Sequence, residues 1–216
     1  MKIRLLIPIA FTLIFVINTI PYSSAEKINL NDDSSKVDIL SNMLPGDIIL
    51  IRQPRYVGTF LGLTYWTHTY IYIGNNQLID SNGPNGVSYS TVDDFRDYPD
   101  YNNYVILRVK ENPDLTGVFA FLEDKIGYPY DYSSIFFPKK EINASKGEFG
   151  YGYTCTELIW AAYMGGAKIN LDNNNRGWIT PWELYNSKHL EVIYTQHPDD
   201  VHLNWLEIIF NFITSR

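Results

Sequence analysis

The chain has 216 residues, 17 of them basic and 24 acidic, for a formal net charge of −7. An acidic chain with no basic stripe excludes nucleic acid as a partner, because that binding rests on neutralising phosphates with Lys and Arg. A single cysteine excludes an intramolecular disulfide framework.

The N-terminus "MKIRLL" carries Lys2 and Arg4, Leu5 to Ile20 is almost wholly apolar, and "PYSSA" ends in the small residues Ser23 and Ala25. This layout predicts a secretory signal over residues 1–25 and an exported protein, extracellular or in the cell envelope. The alternative is an uncleaved segment that tethers the protein to a membrane. Pro8 and a run shorter than the ~20 apolar residues of a span argue against it. Cleavage would remove two bases and no acid, taking the net charge to −9. Residues 26–43 are polar and without period, a linker. Residues 44–216 suit one domain.

Along that domain, "LPGD" is a turn and "DIILIRQ" a buried strand. "THTYIYIG" alternates His68, Tyr70 and Tyr72 against Thr69, Ile71 and Ile73, a strand period. "GNN" bends the chain at Gly74 and Asn75 into "QLIDSN", a hairpin. "SNGPNG" is a further turn, and "GVSYST" and "NNYVILRVK" are further strands. From Asp114 to Gly127, Leu115, Val118, Phe119, Leu122 and Ile126 fall at helical spacing, with Gly127 as stop and Pro129 barring continuation. A Gly-, Pro- and aromatic-rich loop, Tyr128 to Gly152, leads to a helix that starts at the cysteine. "TPWE" (Thr180–Glu183) has the cap, proline and glutamate of another helix start. "HLEVIY" is a last strand and "DDVHLNWLEIIFNFI" a C-terminal amphipathic helix. Strands gather early and helices late, which predicts an α+β fold of mostly antiparallel sheet packed against helices.

Cys155 lies in the first turn of its helix, with Thr154 as cap and Glu157 three residues on. The apolar stripe continues through Leu158, Ile159 and Ala162, so the thiol faces the core. Unpaired N–H groups and the helix dipole favour negative charge there, which lowers a thiol pKa, and the thiolate is the nucleophile. The same stripe also suits a small apolar filler. His68 opens a strand and lies at a sheet edge, and Asp80, twelve residues on, sits across the hairpin from it. An acid holding one ring N–H leaves the other nitrogen to deprotonate a thiol. Cys155, His68 and Asp80 therefore have the chemistry of nucleophile, base and orienting acid.

The ordered blocks "LPGDIIL", "THTYIYIGNNQLIDSNG", "VILRV", "KIGYPYD", "YTCTELIW" and "TPWEL" resemble the permuted papain-like amidases of the YaeF/YiiX type. These are circularly permuted relatives of the NlpC-type cell-wall peptidases. The resemblance runs from about Leu44 to Leu184, with the histidine strand before the cysteine helix. It implies a permuted papain-like (NlpC-related) fold and a cysteine amidase or peptidase with Cys155 as nucleophile, His68 as base and Asp80 as third residue. Many relatives carry Glu at the third position, and Asp is shorter. It also implies substrate positioning by Tyr130, Asp131 and Tyr153. The implied substrate is a peptide, amino-acid amide or acyl amide, cell-envelope material included, and neither cofactor nor metal is implied. A lipid acyltransferase or thioesterase, as in the related lecithin:retinol acyltransferase group, is the alternative enzyme. A non-catalytic ligand-binding module is the alternative outside enzymes.

Other motifs are better read without chemistry. "DNNNRGWITPWE" imitates a calcium loop, but Arg176 occupies a ligand position and Thr180–Glu183 reads as a helix start. "HPDDVH" (His197, Asp199, Asp200, His202) reads as a solvated loop and cap. Asn143-Ala-Ser145 fits a glycosylation acceptor, a motif that chance often supplies. The tail Trp205 to Ile213 is read as a docking face, with peripheral membrane or envelope contact as the alternative.

Overall fold

The structure is a computed structural model that describes residues 43–52, 65–96, 103–134, 152–175 and 179–196. These all fall in the compact unit Asp38–Arg216. The predicted signal, all of the linker but Met43, the Asn143 motif, the "HPDDVH" cluster and the C-terminal helix lie outside the described residues.

Six strands, β1 (Ile48–Ile51), β2 (His68–Gly74), β3 (Gln77–Asn82), β4 (Gly86–Thr91), β5 (Tyr104–Val109) and β6 (Leu190–Gln196), form one sheet. Its order is β4-β3-β2-β1-β5-β6 and every neighbouring pair is antiparallel. The helices are α1 (Val92–Arg96), α2 (Leu115–Asp124), α3 (Cys155–Ala167) and α4 (Pro181–Tyr185). The architecture is α+β with a largely antiparallel sheet, as the strand and helix periods predict. The short helix α1 was not anticipated; Thr91 caps it by exchanging hydrogen bonds with Asp94, without an apolar stripe to announce it.

Side-chain alternation divides the sheet into two faces. Ile48, Leu50, Ile71, Ile79, Val105 and Leu107 join Val118 and Leu122 of α2 and Leu158, Ile159 and Ala162 of α3 in the larger core. Ile49, Ile51, Tyr70, Tyr72, Leu78, Tyr104 and Ile106 form a second cluster with Met43 and Val92. On the parity of that second cluster, the Arg108 guanidinium makes a two-pronged ion pair with the buried Asp47, Nε to Oδ1 and Nη2 to Oδ2, both 2.7 Å.

The single apolar stripe expected of α3 is too narrow. Every residue from Cys155 to Tyr163 is buried, including Thr156, Glu157, Trp160 and Tyr163. The polar ones are tolerated because each is bonded: Thr156 Oγ1 donates to the Ile179 carbonyl at 2.7 Å, and the Tyr163 hydroxyl donates to the Gly46 carbonyl at 2.5 Å. Two glycines let α2 lie against α3. A Cβ on Gly117 would stand 2.4 Å from the Gly166 carbonyl oxygen, and one on Gly166 would stand 2.4 Å from the Gly117 carbonyl carbon.

Candidate active site

The hairpin of β2 and β3 turns at Gly74, Asn75 and Asn76, with φ of 99°, 53° and 63°. Glycine and asparagine tolerate that left-handed backbone best. A register shift between Tyr72 and Gly74 sets Ile71 opposite Ile79, so Asp80 stands diagonally from His68 on the same face. His68 Nε2 is 2.8 Å from Asp80 Oδ2, and both side chains are buried. Asp80 also accepts from Asn82 Nδ2 at 3.1 Å and from Ser90 Oγ at 3.3 Å. These donors fix the carboxylate, and the carboxylate fixes the ring.

Cys155 is the first residue of α3. The capping box read from Thr154 and Glu157 is present: Thr154 Oγ1 accepts from the Glu157 N–H, and Glu157 Oε2 accepts from the Thr154 N–H at 2.8 Å. The helix thus begins with the thiol in its first turn, 5% exposed. The thiol and the His68 ring act on each other electrostatically. Asp80 occupies Nε2, which leaves Nδ1 as the ring nitrogen not bonded to the carboxylate.

The two groups polarise each other. Burial works against charge on His68, but attraction to Cys155, the hydrogen bond that the ring donates to Asp80 and the Asp80 charge outweigh it and raise the pKa to about 10. Burial likewise pushes the Cys155 thiol up, but the His68 charge brings it below its ordinary value. Each group thus favours the charged form of the other.

A cavity of about 510 Å³ adjoins His68 and Asp80. His68, Asp80, Tyr70, Asn82, Tyr130 and Tyr132 are among the residues that line it, and Cys155 is not. The imidazole faces the cavity.

Of the three residues expected to position substrate, Tyr130 alone lines the cavity. The Tyr153 ring is instead packed in the core against Phe121 and Tyr128, because the strand-like segment that holds it is buried. Asp131 is also turned inward, accepting from the N–H and hydroxyl groups of Ser133 and Ser134 at 2.5–3.3 Å. What unites the three is backbone. Tyr130 and Tyr153 form a parallel bridge, the Tyr153 N–H donates to the Pro129 carbonyl, and the Asp131 N–H donates to the Tyr153 carbonyl, both at 3.2 Å. Ser81 Oγ of β3 donates to that same carbonyl at 2.8 Å. The loop before the cysteine is thereby pinned to the strand that carries Asp80.

Sequence reasoning missed Ser81, Asn82 and Ser90. Asn82 was legible, being two residues past Asp80 and so on its face. Ser81 and Ser90 need a tertiary contact and a cross-strand register, respectively. The calcium-like loop is confirmed as a helix start in its second half: Thr180 and Glu183 form a capping box with Pro181 at the first turn. Residues 176–178 of that motif lie outside the described residues.

No protein-family model matches the sequence, and neither does any curated protein. The crystal structure of the metalloprotein YiiX from Escherichia coli O157:H7 is similar in fold. Its TM-score is 0.54 at 14% identity, over 73% of this chain and 99% of YiiX. The chain therefore has a YiiX-like α+β fold. Among the described residues, no three His, Cys, Asp or Glu side chains converge as metal ligands.

Proposed function

We propose that the chain is an exported cysteine hydrolase that cleaves an amide bond of a peptide or acyl amide, on a permuted papain-like scaffold. The observation that carries this reading is the His68 ring, whose Nε2 is held by a buried carboxylate 2.8 Å away, with a thiol in the first turn of a helix electrostatically coupled to that ring. Export rests on the basic start and apolar run of residues 1–25. Among the described residues no helix is long and apolar enough to cross a membrane.

In this mechanism the Cys155 thiolate attacks the carbonyl carbon, a C–S bond forms and negative charge passes to the carbonyl oxygen. First-turn N–H groups of α3 stabilise that oxyanion. The imidazolium of His68 gives its proton to the departing nitrogen as the C–N bond breaks, leaving a thioester and a free amine. His68 then takes a proton from water as the hydroxide adds, and collapse releases the acid and the thiolate. Asp80 keeps the ring in the orientation both steps need and stabilises its positive form. Tyr130, at the cavity wall, contacts the substrate.

The test is an acyl-enzyme trap. Purified protein is exposed to activated acyl esters and to peptide and lipid amides, and the intact mass is followed. An acyl adduct on Cys155 that is absent in Cys155→Ala supports the hydrolase. Adducts from lipid substrates alone transfer the reading to a lipid acyltransferase or thioesterase. No adduct with any acyl donor contradicts it.

A further inference from the structure

The cavity beside His68 and Asp80 has an aromatic lining of Tyr70, Tyr89, Tyr130 and Tyr132. At about 510 Å³ it falls within the ~300–1,000 Å³ of small-molecule sites. Tyr70 stands edge-on to the His68 ring, centroids 4.7 Å apart, so this lining begins at the imidazole. Tyr89 and Tyr132 are 50% and 61% exposed. Large rings left in water around one hollow are the mark of a binding face.

Tyr132 is exposed and yet held. Its ring packs at 63° to that of Tyr130, centroids 5.0 Å apart. Its hydroxyl lies on the β3–β4 turn, where a Cβ on Gly83 would stand 2.5 Å from the oxygen. The neighbouring Asp131 fixes the loop by accepting from the Ser133 and Ser134 hydroxyls. A ring set in place before its ligand arrives loses little freedom on binding.

Charge narrows the choice of ligand. Among the described residues no Lys or Arg lines the cavity, and its acids are Asp80 and Asp94. Asp80 is occupied by His68, Asn82 and Ser90. Asp94, on α1, accepts from the Thr91 N–H and hydroxyl through Oδ2, at 2.6 and 2.9 Å, and its Oδ1 accepts from no described residue. An open carboxylate oxygen and tyrosine faces both attract a cation and repel an anion.

We propose that this cavity binds a cationic group, an ammonium or guanidinium, with the Tyr132 ring against it and Asp94 as its counter-charge. Naming that group a part of the substrate rests on the hydrolase reading: the scissile carbonyl is at Cys155 and the cation reaches past His68 into the cavity.

The experiment is calorimetric binding to the Cys155→Ala protein, which needs no turnover. The probes are the N-acetyl methylamides of lysine, norleucine and glutamate, with methyl glucoside as a neutral sugar. The lysine probe binds about tenfold tighter than the other three and weakens as salt rises. Asp94→Asn and Tyr132→Leu each weaken it about threefold, and Tyr132→Phe stays within about twofold. Norleucine binding stays within about twofold in all three variants. Should a variant fail to fold by circular dichroism, the ranking of the probes and the salt dependence in the unsubstituted cavity still decide. A norleucine, glutamate or glucoside probe that binds as tightly as lysine overturns the proposal. So does a lysine probe that does not bind, or one indifferent to both Asp94→Asn and Tyr132→Leu. Failure of the hydrolase reading looks different: the lysine probe binds as expected while the wild type forms no acyl adduct on Cys155.

Discussion

His68 and Asp80 meet at 2.8 Å although they sit diagonally, not directly opposite, across their hairpin. The diagonal spacing of ~7–8 Å between backbones is within reach of an imidazole and a short carboxylate together. Asp is therefore long enough for the third position. Asp80→Asn keeps a hydrogen-bond partner for the ring and loses the charge that stabilises imidazolium. Acylation should slow by about 100-fold or more, as expected when the wrong tautomer is favoured, with thermal stability little changed. Equal rates in the variant would assign Asp80 a packing role only.

Thr154 ties the first turn of α3 by accepting from the Glu157 N–H. Thr154→Ala should cost about 1 kcal/mol by denaturant unfolding, and Thr154→Ser should restore most of it. Because Cys155 is the next residue, acylation should fall in the alanine variant under conditions where it remains folded.

Arg108 covers the buried Asp47 carboxylate with two 2.7 Å hydrogen bonds. Arg108→Ala leaves that charge buried without its partner and should destabilise by about 3 kcal/mol. The doubly apolar variant Asp47→Leu with Arg108→Met should recover a good part of the loss. An unchanged midpoint in Arg108→Ala would show that water screens the carboxylate.

Gly117 and Gly166 bring α2 against α3 backbone to backbone. The contacting atoms are a carbonyl oxygen and carbon, which cannot rotate aside. Gly117→Ala should therefore cost about 1–3 kcal/mol, despite alanine's better helix propensity. A stabilised variant would mean that the helices move apart freely.

Much of this architecture was legible locally. Strand alternation around His68, the Asn-rich bend, the capping boxes at Thr154 and Thr180 and the stop at Gly127 are all encoded within a few residues of where they act. The Cys155–His68 pairing was posed by helix position and strand position, because both chemistries are local, while any meeting of the two is a matter of tertiary packing. That same packing decides where Tyr153 and Asp131 point. Their place in the sequence beside the cysteine says nothing of which way a side chain turns, and both turn inward. The all-round burial of α3 was hidden for a related reason. Thr156, Glu157 and Tyr163 look exposed until Ile179, Thr154 and Gly46 supply their hydrogen-bond partners.

The pair also ties stability to pH. The His68 pKa is raised from 6.5 to about 10, so its contribution is complete below 6.5 and lost as pH climbs through 10. The Cys155 pKa is lowered from 9.0, so its contribution is complete above 9 and lost as pH falls through the depressed value. Attraction needs both charges, so the stability gained over Cys155→Ala should shrink as pH falls through the depressed thiol value and again as pH climbs from about 9 through 10. A gain that rises steadily with pH would show that the imidazolium is not involved.

The most direct test of the central claim is the ultraviolet absorbance of the thiolate at neutral pH, taken as the difference between wild type and Cys155→Ala. The account predicts a thiolate signal in wild type that disappears on His68→Ala and returns only above the ordinary thiol range. A wild-type thiol that stays protonated until about pH 9, with or without His68, would contradict it.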